Sequence, residues 1–537
     1  MVVIHFLLGH EKRDEGPQGI RRTFEWGGLM NSGGELTKRA ALEDISKLAK
    51  IITESHPDPF LHASSQISFY EAVEAIASGL KGDTINAGEF WIAAARVAAL
   101  VGDGHTSVDV PDLGHKRLWL DVEPLDNRLV VIGVYRKPDS RFLGTWVKSV
   151  EGTSLRILLE GVRTLRGSDG PYSDLLHVAQ ALRSEMMLGY LLQKREFGDS
   201  LAIELESEGD TVAASFSFAS EQSGELVTPK TALELPPPGP NDMSWVFLPG
   251  REVAYLRIDS MRKYRENFEY QRGQGASEEF VRELLAMAGF ASKGDLASCI
   301  QAVPSASQTI LELTTAIKAH AVTNLVVDLR KNSGGNSYLA YMLAYFLRGE
   351  EVLTVDEGYI VKRHSQLSRE QFPGVEARRS AGGYDFTDRQ RWTSGKKGIG
   401  CAEWDVEMAQ SPTFLNVVRN HEPLGETRIF VLTSALTFSA GFDLAFLLKK
   451  LGGVVVGVEP SQPDNAFLET LRFSLPNSGL KGWVSSKLMI KSPAQPIQHR
   501  FKPDVELSFD EYRKFGFDPN SSLLLALRSV SSPSSSS

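Results

Sequence analysis

Apolar positions recur at three- and four-residue spacing from residue 37 to residue 113. Leu42, Ile45, Leu48, Ile51 and Ile52 fall on one face, which predicts an amphipathic helix. Asp58-Pro59 breaks that run, and residues 69–80 repeat the pattern. Thr84 is placed to cap a third helix carrying Phe90, Ala93, Val97 and Leu100 on one side. The pattern then changes. Short β-type runs at residues 129–132 and 146–150 are bounded by Gly and Asn, and residues 154–162 and 173–194 return to a helical period. Residues 201–218 alternate on both sides of Glu208-Gly209-Asp210, which predicts a hairpin. From residue 253 onward strands and helices take turns. Strands are expected at 253–258, 325–329, 429–433 and 454–458, and helices at 310–320, 337–347 and 439–451. Strands alternating with helices argue for a mostly parallel α/β core.

These changes of period divide the chain. Residues 1–35, rich in Gly and charge, read as a loose tail. Residues 36–113 form a helical N-terminal domain and residues 114–235 a β-rich domain. The linker Pro236-Pro237-Pro238-Gly239-Pro240 precedes an α/β core over residues 241–528, with an insertion near 261–318. Residues 529–537 are a Ser-rich tail, expected to be disordered.

Composition narrows the function without choosing it. The 537 residues are 42% apolar and 23% charged, with a formal net charge of -9. No basic stripe stands out, so nucleic-acid binding is not expected. The two cysteines, Cys299 and Cys401, build no disulfide framework, and the histidines show no HExxH spacing, so no metal site is expected. The first ten residues hold a short apolar run interrupted by His5 and followed by charge. That pattern does not match a secretory signal. With no run near the roughly 18 apolar residues of a membrane span, the expectation is a cytoplasmic protein.

The chemistry concentrates at two strand-to-helix corners. One reads Asp328-Leu329-Arg330-Lys331-Asn332-Ser333-Gly334-Gly335, the other Thr437-Phe438-Ser439-Ala440-Gly441. Ser439 opens a helix, where free N–H groups and the positive end of the dipole surround its hydroxyl. Alone, it reads first as a helix cap. As a nucleophile it would have the Ala440 N–H as one oxyanion donor, with Gly334 or Gly335 supplying a second. Alone, the glycine pair reads as a plain turn. Asp328 and Arg330 suit a buried ion pair that fixes the loop. His105, in Asp103-Gly104-His105-Thr106, is either a structural turn residue or the base.

Taken together these segments resemble the tail-specific, or C-terminal processing, serine peptidase family. The resemblance extends to His56-Pro57-Asp58-Pro59-Phe60 and to Lys502-Pro503-Asp504-Val505, in family order, and spans roughly residues 40–520. It implies a crotonase-like (ClpP-like) core that cleaves peptide bonds, with Ser439 as nucleophile and no metal or cofactor. One branch of the family uses a lysine downstream of the serine in a Gly-Lys-Gly context. Here residues 456–464 contain no lysine. The other branch uses a histidine at the position of His105, so the resemblance implies a Ser439–His105 pair. That branch places a glutamate before the Pro-Asp-Val segment, and this chain has none there. Gln498 is the candidate orienter, with Asp103 and Asp504 as alternatives. The family's glutamate shortly after the serine is replaced by Phe442, beside Asp443. Residues 143–153 look like the end of a PDZ-like module.

The leading expectation is a serine endopeptidase acting on peptide or protein substrates through an acyl-enzyme. The alternative is a non-catalytic peptide- or lipid-binding protein on the same scaffold.

Overall fold

The computed structural model describes residues 34–531, apart from residues 64, 112–115, 223, 251, 356, 374–388, 393–409, 420 and 498. The core is a six-stranded sheet. Its order is Met243–Phe247, Val253–Ile258, Asn324–Asp328, Arg428–Thr433, Val454–Gly457 and Val505–Glu506. The first pair is antiparallel and the remaining four pairings are parallel. Asn324–Asp328 is buried at every position. A strand covered on both faces reads as a continuous apolar run, which is why it was visible in the sequence. The helices Ala306–Ala319, Tyr338–Arg348 and Ala440–Lys450 cover one face. The other packs on the helices Phe509–Lys514 and Ser521–Ser531, and on Leu125, Val130, Tyr172 and Leu176 from the middle of the chain. The last helix includes Ser529–Ser531, three residues expected in the tail; 532–537 and 1–33 lie outside the described residues.

The N-terminal region holds the helices Lys38–Ser55, Gln66–Ser78 and Ala87–Ala99. Asn86, not Thr84, caps the third by accepting a hydrogen bond from Glu89 N–H. Thr84 instead pairs with Thr37 across a small two-stranded sheet. A seven-stranded sheet follows over residues 117–219. Its hairpin turns at Glu208-Gly209, both at positive φ (53° and 94°), the turn geometry that suits the right-handed twist of paired strands. The expected helix at 173–194 is two, Pro171–Ala181 and Glu185–Leu192, because Ser184 caps a fresh helix through Met187 N–H.

One element was not anticipated. Asn465–Ser474 and Lys481–Ile490 form a long hairpin. Leu471, Phe473, Leu475, Leu480 and Val484 join the apolar cluster of the N-terminal helices, while Met489 joins the core cluster. The hairpin also pairs with Ser107–Val108, directly after His105. It therefore ties the front of the chain to the core. The insertion helices Arg265–Gly273, Glu278–Met287 and Leu296–Gln301 enclose their own small cluster around Phe268 and Ile300. Among the described residues, no helix is long and apolar enough to cross a membrane.

Candidate active site

The two corners leave adjacent parallel strands, and side chains stitch them together. Ser434 Oγ donates to Arg330 O (2.6 Å), Thr437 Oγ1 donates to Leu329 O (2.9 Å), and Phe438 N–H donates to Asn332 O (3.0 Å). Below them Asp328 pairs with Arg330 at 2.6 Å and accepts Tyr255 O–H at 2.6 Å, the buried ion pair expected for this loop.

Ser439 sits at the apex of the second corner with φ 54° and ψ −124°. A positive φ is costly for a residue with a Cβ, and such strain is concentrated at functional turns. A serine on a sharp strand-to-helix turn is also the device that presents a nucleophile in hydrolases of another fold. Ser439 makes no side-chain cap hydrogen bond to the helix Ala440–Lys450, so the capping role is not taken up. Its backbone N–H is held by Gln462 Oε1 at 2.7 Å.

Gly334 lies against this apex. A Cβ there would stand 2.6 Å from Ser439 Cβ, and its φ is 105°, so only glycine permits the approach. Of the expected oxyanion donors, the Gly334 N–H is already committed to Asn332 Oδ1 (2.9 Å). The Gly335 and Ala440 N–H groups donate to no acceptor among the described residues.

His105 reaches the same place from the far end of the sequence. Its ring stacks on Phe438, the neighbour of Ser439, with centroids 4.3 Å apart and planes 23° apart. The ring is 3% exposed, and neither nitrogen has a hydrogen-bond partner. Burial pulls the imidazole down to about 4, against the opposing charge of Asp103. A neutral ring at neutral pH is the form a general base requires.

Asp103 anchors the loop. Its Oδ1 accepts His105 N–H (2.8 Å) and lies 3.9 Å from His105 Nδ1. Its Oδ2 accepts Thr106 Oγ1–H (2.5 Å) and Ser485 Oγ–H (2.6 Å), and lies 3.3 Å from His56 Nε2. Burial would raise this carboxylate, but His56 above all, then His105 and Ser485, holds it below the usual range. Asp169 stands nearby and accepts Gly104 N–H at 3.2 Å. Burial, then the charge on Asp103, pushes it well above that range.

The proposed orienters fare differently. Gln498 lies outside the described residues. Asp504 is remote: it binds Val455 N–H (2.9 Å) and Lys449 Nζ (2.6 Å) at the C-terminal end of the helix that Ser439 begins. Of the two candidates among the described residues, Asp103 is the one beside the imidazole. Asp443, one turn into the helix, accepts Ser337 Oγ–H (2.6 Å) and lies 3.3 Å from Lys491 Nζ. Lys491 is 2% exposed and also binds Glu357 at 2.9 Å. This buried triad ties the nucleophile helix to the hairpin. Gln462, Asp169 and Lys491 were not singled out from sequence. Only Gln462 carried a local signal, a polar residue between prolines shortly after a buried strand.

The corners lie in a segment with known relatives. Residues 252–507 match the sequence model of peptidase family S41, as the motifs implied; His105 lies outside the matched segment. Among solved structures the chain is similar to mature CPAF complexed with lactacystin (14% identity, TM-score 0.54) and to mature CPAF (14%, 0.55). A CPAF mutant is similar too (12%, 0.57). Each likeness covers 92% of this chain and 99% of the other. At such identity it speaks for the fold alone. No curated protein matches the chain in sequence. The family match supports a peptidase acting on peptide or protein substrates.

Proposed function

We propose that the chain is a serine endopeptidase in which Ser439 is the nucleophile and His105 the base. One observation carries the reading: the Phe438-Ser439 turn packs against Gly334 on one side and against the His105 ring on the other. Ser439 Oγ attacks the peptide carbonyl while His105 takes the hydroxyl proton. Gly335 and Ala440 N–H hold the oxyanion, each contributing about 3–4 kcal/mol to the lowered barrier. The protonated imidazole then gives its proton to the leaving amine. Water, deprotonated in turn by His105, releases the acyl group and regenerates Ser439. Asp103, through His105 N–H and the neighbouring charge, keeps the ring in place.

On the finer reading, the parallel sheet with two facing corners is crotonase-like. The antiparallel middle sheet is PDZ-like and receives a substrate C-terminus, which makes the enzyme tail-specific. Faster cleavage of a peptide with a free C-terminal carboxylate than of its amide tests that part. Equal rates would refute it.

A fluorophosphonate probe tests the chemistry. Labelling is expected on Ser439, with labelling and peptide cleavage both lost in Ser439→Ala at an unchanged melting temperature. Cleavage that survives in that variant would overturn the assignment. A folded chain that never labels would favour the binding alternative.

A further inference from the structure

Asp103, His105 and Asp169 each present one ligating atom, and the three atoms lie within 4.8 Å of one another. They come from separate loops, one leading into the strand Ser107–Val108 and one into the helix Pro171–Ala181. All three side chains are at least nine-tenths buried. Hydrogen bonds account for only part of the cluster. Asp169 Oδ1 and Asp103 Oδ1 accept backbone N–H groups, which fixes both carboxylates. Asp169 Oδ2 and both His105 nitrogens are buried with no hydrogen-bond partner. Each such orphan costs about 1–3 kcal/mol, and an ion that took a lone pair from Asp169 and from one of the two His105 nitrogens would relieve two of them.

The spacing suggests what that partner is. His105 Nδ1 and Asp103 Oδ1 are 3.9 Å apart, too far for a hydrogen bond. Two ligands on one ion, each bonded at about 2.0–2.1 Å, stand roughly 3–4 Å apart. Among the described residues no lysine or arginine pairs with either carboxylate; the imidazoles of His56 and His105 are the side chains with a ring nitrogen within 4 Å of Asp103. Two carboxylates and an imidazole are the donor set of Zn²⁺ and its transition-metal relatives, whereas Ca²⁺ and Mg²⁺ prefer more oxygens. Asp169 also lines a small cleft together with Gln462, Tyr172 and Arg500.

We propose that Asp103, His105 and Asp169 form an inhibitory site for a divalent transition-metal ion of the Zn²⁺ class. The inhibitory half rests on the reading of His105 as base. A ring fixed on a metal cannot swing or give up its lone pair to accept the Ser439 proton. The ion thus switches the peptidase off without touching the nucleophile.

The full chain, stripped with a chelator, is titrated with Zn²⁺ by calorimetry and with Co²⁺ by absorption, while fluorophosphonate labelling is timed in parallel. One ion per chain is expected. Labelling slows at least tenfold on Zn²⁺ addition and recovers on chelation. Asp169→Asn and His105→Ala each weaken binding at least tenfold. If one variant fails to fold, the other decides, and the wild-type labelling needs no substitution. No stoichiometric binding, equal binding in both variants, or labelling that zinc leaves unchanged or accelerates overturns the proposal. A chain that binds the ion through these residues yet never labels Ser439 sinks the peptidase reading instead and leaves the metal site standing.

Discussion

The serine corner and the histidine loop meet at Phe438, but they are held by different means. The serine corner is built from backbone: adjacent parallel strands, a glycine pressed against the apex, and hydrogen bonds to carbonyls of the neighbouring loop. The histidine loop is held by the side chain of Asp103, whose partners come from residues 56, 105, 106 and 485. A site of this kind has one half that comes with the fold and another that depends on a single carboxylate.

The contrast can be broken most sharply at Asp103. Asp103→Ala leaves Thr106, Ser485 and His56 facing a void, and losing one side of a buried charged network costs about 3–5 kcal/mol. Denaturant unfolding is expected to show that loss together with near-complete loss of cleavage. An unfolding midpoint within error of wild type would mean that the loop is held elsewhere. Gly334→Ala attacks the other half. Its Cβ would stand 2.6 Å from that of Ser439, and backbone strain of this type costs about 1–3 kcal/mol. The expected result is labelling slowed by roughly 10²-fold with the far-ultraviolet spectrum intact. Wild-type kinetics there would deny the close approach.

Acid should separate the halves again. The unfolded imidazole takes a proton below about 6.5, whereas folded His105 does so only near 4 and His177 near 3, both lowered first by burial. Between those values the unfolded chain holds more protons on these two imidazoles, so their contribution to stability falls as pH falls from about 6.5 toward 4, with Asp169, raised in the fold, acting in the opposite sense. Asp103, held low in the fold, adds loss of the same sign at still lower pH. The labelling rate stays level from neutral pH to about 5 and drops below it, provided unfolding is not yet complete. A midpoint near 6.5 in the rate profile would show an imidazole open to water. The smallest effect belongs to Gln462→Asn, which withdraws the amide oxygen from Ser439 N–H. One hydrogen bond of about 1–1.5 kcal/mol corresponds to a slowing of up to roughly tenfold.

The same contrast explains what could be read from sequence. The serine corner was legible because its parts are local: a buried strand, small residues and a helical period within about a dozen positions. The ion pair of Asp328 with Arg330 spans two positions and was legible for the same reason. The hairpin at 465–490 was not, because its strands are buried on both sides and lose the alternation that marks a half-exposed strand. Asp169 and Ser485 act through contacts across 65 and 382 positions, which leave no periodic trace. Thr84 fits a cap by residue type alone. Pairing with Thr37 draws it into a strand, and Asn86 inherits the task.

The zipper between Ser107–Val108 and the hairpin, through Val108 opposite Gly482 and Ser107 opposite Trp483, fastens the N-terminal region directly to a hairpin of the C-terminal region. A protease that nicked the chain between residues 219 and 243 would leave two fragments still clasped by that seam and by the apolar packing around Leu471 and Val484. Co-expressed as separate pieces, they have the contacts needed to find each other and rebuild the pairing of imidazole and alcohol.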